Sequence, residues 1–347
     1  METEGRSDRR AGKINGRQEQ RRRRLEEGRL TTMAASHKLL ILSGQADEYA
    51  RLLADAALPG LELVAAKTPA EALQGGADWD LLFGEPALLR HVLMGLPRLT
   101  WAQATWAGVE QLLDPSLRRD YLLTNARGVF GGLMSEYVIA YLLAHERRIL
   151  ERAASQQAGR WDPTEPGSLR GKLFGLLGVG SIGCHLAGTA KHFGMRVHGY
   201  TRESESCPDV EQYFHGADLA AFTAGLDYLV CSLPGTAATR HFVNAQLLSG
   251  LPRRALFVNV GRGSAVDEAA LEAALRAGKL GGAVLDVFEQ EPLPEGHPFW
   301  TTPGLVITAH TAALTYPSDL AGIFIENYHL LLEGKPLKYR VDFERGY

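Results

Sequence analysis

Three polar side chains of different chemistry each follow an apolar run of the sequence. Arg262 comes shortly after residues 256–259, Glu291 comes after residues 283–285, and His310 comes after residues 305–308. An arginine can bind a carboxylate with two parallel hydrogen bonds and polarise a neighbouring carbonyl group. A histidine can give a proton to a carbonyl oxygen, and a carboxylate beside the imidazole holds it and favours its charged form. Together these residue types indicate chemistry on an anionic carbonyl compound.

Taken singly, each of these residues has an ordinary structural explanation. A lone arginine at a strand end is more often part of a surface ion pair, and a lone histidine is more often a structural residue. Glu289 and Glu291 can both be solvated loop charges. Parallel strands bring their carboxyl ends to one edge of a sheet, however, and ligands bind at that edge. Three such residues converging there therefore favour a site.

A glycine motif supplies the second part of the prediction. Residues 178–183, Gly-Val-Gly-Ser-Ile-Gly, follow the apolar run 173–177 and precede helical apolar spacing and a further strand at 195–200. In this context the glycines allow a tight turn, close approach to a pyrophosphate and close packing of helix on strand, while the helix N-terminus favours phosphate. A purely structural glycine turn is the alternative. The motif predicts a nicotinamide dinucleotide, hence hydride transfer, with these contacts: Gly178, Gly180, Ser181, Ile182 and Gly183.

The end of the second strand predicts the choice of cofactor. A site specific for NAD carries an acidic residue there, about 20 residues after the first glycine. This chain has Thr201 and Arg202 instead. Thr201 can donate a hydrogen bond to a 2′-phosphate and Arg202 can form a charged pair with it, so NADP(H) is favoured over NAD(H). Glu203 is the opposing feature, because it can accept a hydrogen bond from a free 2′-hydroxyl.

Strand and helix patterns alternate along the chain from Lys38 onward. Five predicted strands between residues 39 and 123 indicate a flavodoxin-like parallel sheet, and the strands from 173 to 308 indicate a Rossmann-like one. The predicted fold is therefore α/β, with two parallel-sheet domains and an active-site cleft between them. A long helix is predicted over residues 132–150, followed by a polar connection over 158–168, and a last helix over 317–333.

Composition excludes several functional classes. The net charge is −3, but residues 1–36 hold ten Lys/Arg and six Asp/Glu, so the remaining chain is mildly acidic. We therefore predict a disordered N-terminal arm over 1–36 and no nucleic-acid partner. No apolar run is long enough for a membrane span. The three cysteines have no metal-ligand spacing, which predicts free thiols, no metal and a cytoplasmic location.

Several of these stretches resemble the D-isomer-specific 2-hydroxyacid dehydrogenases over residues 38–347. The resemblance is carried by residues 178–183, 233–236, 259–263 and 285–293 and by His310. Residues 134–138 and the C-terminal Arg-Gly-Tyr are similar to the glyoxylate/hydroxypyruvate reductase branch. The resemblance implies NAD(P)-dependent interconversion of a small 2-oxoacid and its D-2-hydroxyacid, and typically a homodimer.

The resemblance also implies particular roles for residues. Arg262, Glu291 and His310 are the implied catalytic set, with Glu291 rather than Glu289 as the carboxylate. Arg262 and the loop Trp106-Ala107-Gly108 would bind the substrate. Asp286 would lie by the nicotinamide carboxamide, and further implied cofactor contacts are Leu233, Pro234, Thr239, Val260 and Gly261. The implied domains are 37–133 plus 317–347 for the substrate, and 134–316 for the NAD(P).

Two other functions compete with this one. Formate dehydrogenases resemble the same architecture but have glutamine where Glu291 stands. Dinucleotide-sensing corepressors use the same fold to bind partner proteins without turnover. Measurable reduction of glyoxylate or hydroxypyruvate separates an enzyme from a sensor.

Overall fold

The computed structural model describes residues 36–347 and contains two parallel β-sheets with helices on their faces. The predicted N-terminal arm lies, except for Ser36, outside the described residues. The predicted α/β class with two parallel sheets is confirmed.

The first sheet has the strand order β2-β1-β3-β4-β5, which is the flavodoxin-like order. Its strands are short, and the inner strands β3 and β4 are wholly buried, as is usual for parallel sheets, whereas the edge strand β2 is partly exposed. The elements in chain order are β1 (His37–Leu42), α1 (Ala46–Asp55), β2 (Leu61–Ala66), α2 (Pro69–Gln74), β3 (Leu81–Gly84), α3 (Pro86–Leu89), β4 (Trp101–Ala104) and β5 (Leu122–Thr124).

Two helices connect the first sheet to the second, namely α4 (Gly131–Glu146) and α5 (Ile149–Gln157). The second sheet has the order β12-β11-β10-β9-β6-β7-β8, so the chain reverses direction across the sheet between β6 and β9. A crevice for a ligand opens at such a point. The remaining elements are β6 (Leu173–Leu177), α6 (Ser181–His192), β7 (Arg196–Tyr200), β8 (Gln212–Phe214), α7 (Leu219–Thr223), β9 (Tyr228–Cys231), α8 (Ala245–Gly250), β10 (Leu256–Asn259), α9 (Glu268–Arg276), β11 (Gly282–Leu285), β12 (Leu305–Ile307) and α10 (Pro317–Leu332).

The C-terminal helix α10 returns to the first sheet. Phe324 stacks on Trp101 with ring centroids 4.8 Å apart and contacts Phe83 at 5.2 Å. Helix α4, by contrast, buries Val138 and Leu142 in the core of the second sheet. This packing is consistent with the domain division 37–133 plus 317–347 and 134–316, which stays a prediction.

Three local features differ from the sequence-based predictions. The helix predicted over 132–150 is two helices, because Arg148 has a left-handed backbone (φ 54°) that ends the first one. The short strand β8 was not predicted. The prediction of three free thiols is wrong, since Cys184 on α6 and Cys207 after β7 form a disulfide with Cα atoms 5.5 Å apart. Sequence spacing alone gave no sign that these two elements are neighbours.

Among residues 36–347, none of the helices is both long and apolar enough to span a membrane.

Candidate active site

A cleft of about 1390 Å³ lies between the two sheets, at the carboxyl ends of their strands. Residues from both sheets line it. All of the site residues predicted from the sequence are among them: Trp106, Ala107, Gly108, Gly178, Gly180, Ser181, Ile182, Gly183, Thr201, Arg202, Leu233, Pro234, Thr239, Val260, Gly261, Arg262, Asp286, Glu291 and His310.

The glycine turn between β6 and α6 has the geometry expected of a phosphate cradle. Gly178 has φ 88°, and a Cβ atom on Gly183 would overlap the Gly178 carbonyl group. Around Gly180 no described heavy atom lies within 4 Å of the place a Cβ would take, so the backbone is open to the cleft. Gly180 also caps α6 without a side-chain hydrogen bond, which leaves the helix N-terminus to a ligand. These residues fit the pyrophosphate of a dinucleotide.

Next to this turn, the cleft is lined by the segment from Leu233 to Thr239, together with Val260 and Gly261. The Thr239 hydroxyl donates to the Pro234 carbonyl at 2.6 Å and so closes this segment into a tight turn. A Cβ atom on Gly261 would lie 2.7 Å from the Leu233 carbonyl oxygen. The small residue at 261 therefore allows the two loops to meet at the floor of the cleft.

Thr201 and Arg202 lie at the end of β7, where the second ribose of a dinucleotide is expected. The Thr201 hydroxyl already donates to the Ser204 carbonyl at 2.8 Å, so its proton is in use. The Arg202 guanidinium is exposed and lies 5.9 Å from the ring centroid of Tyr347, the C-terminal residue. Arg202 is thus the better placed of the two to meet a 2′-phosphate, and Ser204 also lines the cleft there.

His310 and Glu291 are in direct contact at the ends of β12 and β11. The imidazole Nδ1 is 2.8 Å from one carboxylate oxygen of Glu291, and the other oxygen accepts the Phe288 backbone N–H at 3.0 Å. The His310 side chain is 55% exposed, so its Nε2 edge can meet a ligand in the cleft. Glu289, the other carboxylate considered, pairs instead with Arg240 at 2.9 Å and His241 at 2.8 Å.

Asp286 is buried and holds the backbone that carries His310. Its carboxylate accepts hydrogen bonds from the Thr308 hydroxyl (2.5 Å) and from the backbone N–H groups of Thr311 (2.8 Å) and Ala312 (3.0 Å). His310 itself has a left-handed backbone with φ 55°. Both Asp286 oxygens therefore already accept hydrogen bonds within the protein. The sequence predicted that Asp286 contacts a nicotinamide carboxamide, but it did not predict these internal bonds.

A buried tyrosine extends this network. The Tyr137 hydroxyl lies 2.7 Å from the Thr308 hydroxyl. Burial raises the pKa of Tyr137, so the hydroxyl remains protonated at neutral pH. The His310 loop is thus tied both to β11 and to helix α4.

Arg262 lies against the loop predicted to bind a substrate carboxylate. A Cβ atom on Gly108 would overlap the Arg262 guanidinium, so the guanidinium lies directly against the backbone of this loop. The Asn125 side-chain amide donates to the Ala107 carbonyl at 2.7 Å and shapes the loop. Arg262 Nε donates to Glu110 at 2.8 Å, a contact between residues 152 positions apart.

Sequence reasoning did not assign a role to several polar residues that line the cleft, among them Glu110, Ser204, Arg345 and Tyr347. Glu110 stands two positions after Gly108, and the C-terminal Arg-Gly-Tyr was noted only as part of a resemblance. The sequence signal that could have identified Glu110 was its position close to the loop predicted to bind the substrate. Within residues 36–347 no cluster of His, Cys, Asp or Glu has the arrangement of a metal site.

Comparisons with known proteins agree with this geometry. The family model for the D-isomer specific 2-hydroxyacid dehydrogenase, NAD binding domain, matches residues 139–312. Glyoxylate/hydroxypyruvate reductase A of Klebsiella pneumoniae is 36% identical over 278 residues, which is 78% of this chain and 88% of that protein.

Solved structures give the same result. A D-isomer specific 2-hydroxyacid dehydrogenase family protein from Aeromonas salmonicida is 42% identical, with a TM-score of 0.83 over 89% of this chain and 100% of that one. The NADPH-dependent glyoxylate/hydroxypyruvate reductase from Sinorhizobium meliloti, solved in complex with NADP and sulfate, is 28% identical, with a TM-score of 0.81 over 90% of this chain and 100% of that one. The chain therefore belongs to the D-isomer-specific 2-hydroxyacid dehydrogenases and is an NAD(P)-dependent oxidoreductase of that family.

Proposed function

We propose that this protein reduces a small 2-oxoacid such as glyoxylate or hydroxypyruvate, with NADPH preferred over NADH. The observation that carries the proposal is that Arg262, the His310–Glu291 pair and the glycine turn between β6 and α6 line the same cleft. The similar proteins from Klebsiella and Sinorhizobium have names that state this activity.

Each catalytic side chain has a separate task in the proposed reaction. Bound NADPH would supply the hydride that reduces C2 of the substrate. Arg262 holds the substrate carboxylate and polarises the carbonyl group, together with the loop Trp106-Ala107-Gly108. His310 gives its proton to the carbonyl oxygen, and Glu291 fixes the ring so that Nε2 carries that proton toward the cleft.

His310→Ala tests the assignment of the acid. The variant should lower kcat for glyoxylate by roughly 10²–10⁴, the usual contribution of a positioned acid. Arg262→Ala should both raise KM and lower kcat, because the guanidinium meets the substrate in the ground state and in the transition state. Near-full activity of the His310 variant at neutral pH would reject the assignment.

The preference for NADPH is assigned to Arg202. A hydrogen bond to a charged group contributes about 1.5–3 kcal/mol, which corresponds to about tenfold or more in affinity. The decisive experiment is kcat/KM for glyoxylate with NADPH and with NADH, on the wild type and on Arg202→Ala. The wild type should favour NADPH and the variant should lose that preference. A wild-type preference for NADH that the substitution leaves unchanged would reject the assignment to Arg202.

We also propose that two copies of the chain associate through helix α5 and the segment after it. Helix α5 buries none of its residues, and Ile149, Leu150 and Trp161 are 51%, 59% and 92% exposed. Apolar side chains of this size favour burial against a second copy. Sedimentation should show a dimer for the wild type and a monomer for Leu150→Glu combined with Trp161→Glu. A monomeric wild type would reject the proposal.

A further inference from the structure

The side chain of Glu110 crosses the cleft and contacts Arg262. Glu110 begins a short 3₁₀ turn (Glu110–Leu112) that follows the Trp106–Gly108 loop of the first sheet. One of its carboxylate oxygens accepts from Arg262 Nε at 2.8 Å, and the two side chains are 44% and 28% exposed. This ion pair joins the two halves of the molecule at the substrate end of the cleft.

Glycines from two loops lie close to the Glu110 carboxylate. A Cβ atom on Gly235 would lie 3.0 Å from its first oxygen, and a Cβ atom on Gly108 would lie 2.6 Å from its second. The carboxylate therefore lies between one loop from each side of the cleft and Arg262, although its side chain stays 44% exposed. An incidental surface pair has no such neighbours and holds its partner only loosely.

The contacts of the Arg262 guanidinium divide it into two parts. Nε donates to Glu110, and Nη1 donates to the Gly261 carbonyl at 2.8 Å. Nη2 lies against the backbone of Gly108 and faces the loop proposed to bind substrate. An unrestrained arginine loses substantial side-chain freedom when it binds a ligand. Fixing the guanidinium at Nε and Nη1 removes much of that cost in advance and leaves the N–H groups of Nη2 for a carboxylate or carbonyl oxygen.

We propose that Glu110 is a positioning residue for Arg262: its carboxylate aligns the guanidinium with the Trp106–Gly108 loop when the two sides of the cleft come together. This inference rests on the proposed reduction of 2-oxoacids, in which Arg262 binds the substrate. Glu110 does not touch the substrate in this role and acts only through Arg262.

The first experiment measures KM and kcat for glyoxylate, at saturating NADPH, in Glu110→Gln and Glu110→Ala. We expect KM to rise about tenfold or more in Glu110→Ala and less in Glu110→Gln, since the amide oxygen can still accept from Nε. The inhibition constant of oxamate, an unreactive compound with a carboxylate beside a carbonyl, should rise with KM. The dissociation constant of NADPH, followed by its fluorescence, should not change.

Asp114→Asn is the matched control. Asp114 is an acidic residue on the same connection, four positions further along, and it pairs with Arg90 at 3.4 Å rather than with Arg262. Its substitution should leave KM for glyoxylate and the oxamate constant at their wild-type values. If KM rises in Asp114→Asn as much as in Glu110→Ala, the effect comes from a general loss of negative charge, and the proposal is overturned.

The second experiment asks whether Glu110 acts through Arg262. Lysine has no Nε–H group, so in an Arg262→Lys background the substitution Glu110→Ala has no such bond to remove. We expect its effect on kcat/KM to shrink to less than about threefold there, because contacting residues that act as a unit are not additive. Full additivity of the two substitutions would overturn the proposal.

The remaining outcomes separate this inference from the proposed function. A wild type that reduces neither glyoxylate nor hydroxypyruvate would reject the proposed function itself. An active wild type with unchanged constants in both Glu110 variants would reject only the positioning role. A lower KM in Glu110→Ala would also reject it and would show that Glu110 competes with the substrate carboxylate for Arg262.

Discussion

At the scale of single residues, the contact between Glu291 and His310 yields a direct prediction. Glu291→Gln replaces the carboxylate that holds Nδ1 at 2.8 Å and should lower kcat by roughly tenfold or more, because the ring is then free to turn and its charged form loses a partner. Steady-state kinetics with glyoxylate at pH 7 measure this effect. Glu289→Gln is the control, since Glu289 pairs with Arg240 and His241, and it should retain wild-type kcat. Equal losses in both variants would contradict the assignment.

Residue types and their order predicted which side chains meet in the cleft, but not how each is engaged. Arg262, Glu291 and His310 were found because parallel strands place their carboxyl ends at one edge. The occupied hydroxyl of Thr201 and the two occupied oxygens of Asp286 were not predictable, since their partners come from loop conformations. Glu110 could not be matched to Arg262, because nothing in the sequence relates positions 152 residues apart in different domains.

At the scale of elements, a histidine in strand β7 makes stability depend on pH. His198 is buried, and neither ring nitrogen has a hydrogen-bond partner among the described residues. Burial lowers the pKa of His198 below its ordinary value of 6.5, so the unfolded chain binds a proton that the folded chain resists. The free energy of unfolding should therefore fall as the pH drops through 6.5.

His198→Phe tests this consequence. Phenylalanine keeps a ring beside Phe214, whose centroid lies 5.3 Å from that of His198, and removes two unpaired nitrogens. Urea unfolding at pH 7 and at pH 5 measures this effect. The free energy of unfolding should change less between the two pH values in the variant than in the wild type. At pH 7 the variant should be more stable than the wild type by about 1 kcal/mol. His192→Phe, at an exposed position on α6, serves as the control. An unaltered pH dependence in His198→Phe would exclude His198 as its source.

Helix α10 should contribute strongly to the stability of the first sheet. Phe324 is fully buried between Trp101 and Phe83, although it is more than 220 positions away from both along the chain. Phe324→Ala should lower the free energy of unfolding by about 3–5 kcal/mol, the range for a large aromatic residue removed from a core. Chemical unfolding followed by tryptophan fluorescence measures this loss, since Trp101 is in contact with Phe324. A loss below about 1 kcal/mol would show that α10 is not integral to this core.

Strong periodic segments were predictable at this scale, and their exceptions have local causes. Strands β6 and β10 coincide with the apolar runs 173–177 and 256–259 found in the sequence. The left-handed Arg148 that separates α4 from α5 was missed because arginine has no preference for that conformation. Strand β8 is only three residues long, which is too short to show the alternation of apolar and polar residues that indicates a strand.

At the scale of the whole molecule, two connections and several side-chain contacts join the halves of the cleft. The chain leaves the first sheet after β5 and returns to it after β12. The Glu110–Arg262 pair bridges the gap directly, and a Cβ atom on the C-terminal Gly346 would lie 3.5 Å from Thr236 of the second domain. Ile182 of α6 also packs against the core of the first sheet. The connections near Gly132 and Thr315 are the expected hinges.

Closure of this cleft should depend on ligands. Water in the cleft weakens the interactions of Arg262 and His310 with a substrate, so a closed form that excludes it should be favoured once both ligands are bound. Small-angle scattering should show a smaller radius of gyration with NADPH and oxamate together than without ligands. Oxamate alone is the control, because it lacks the cofactor surface against which the domains close. Glu110→Ala should show less compaction, since it removes the pair that links the two sides. Identical scattering profiles in all conditions would mean that the cleft is permanently closed, and substrate would then have to enter through loop movement at its mouth, where Arg345 and Tyr347 lie.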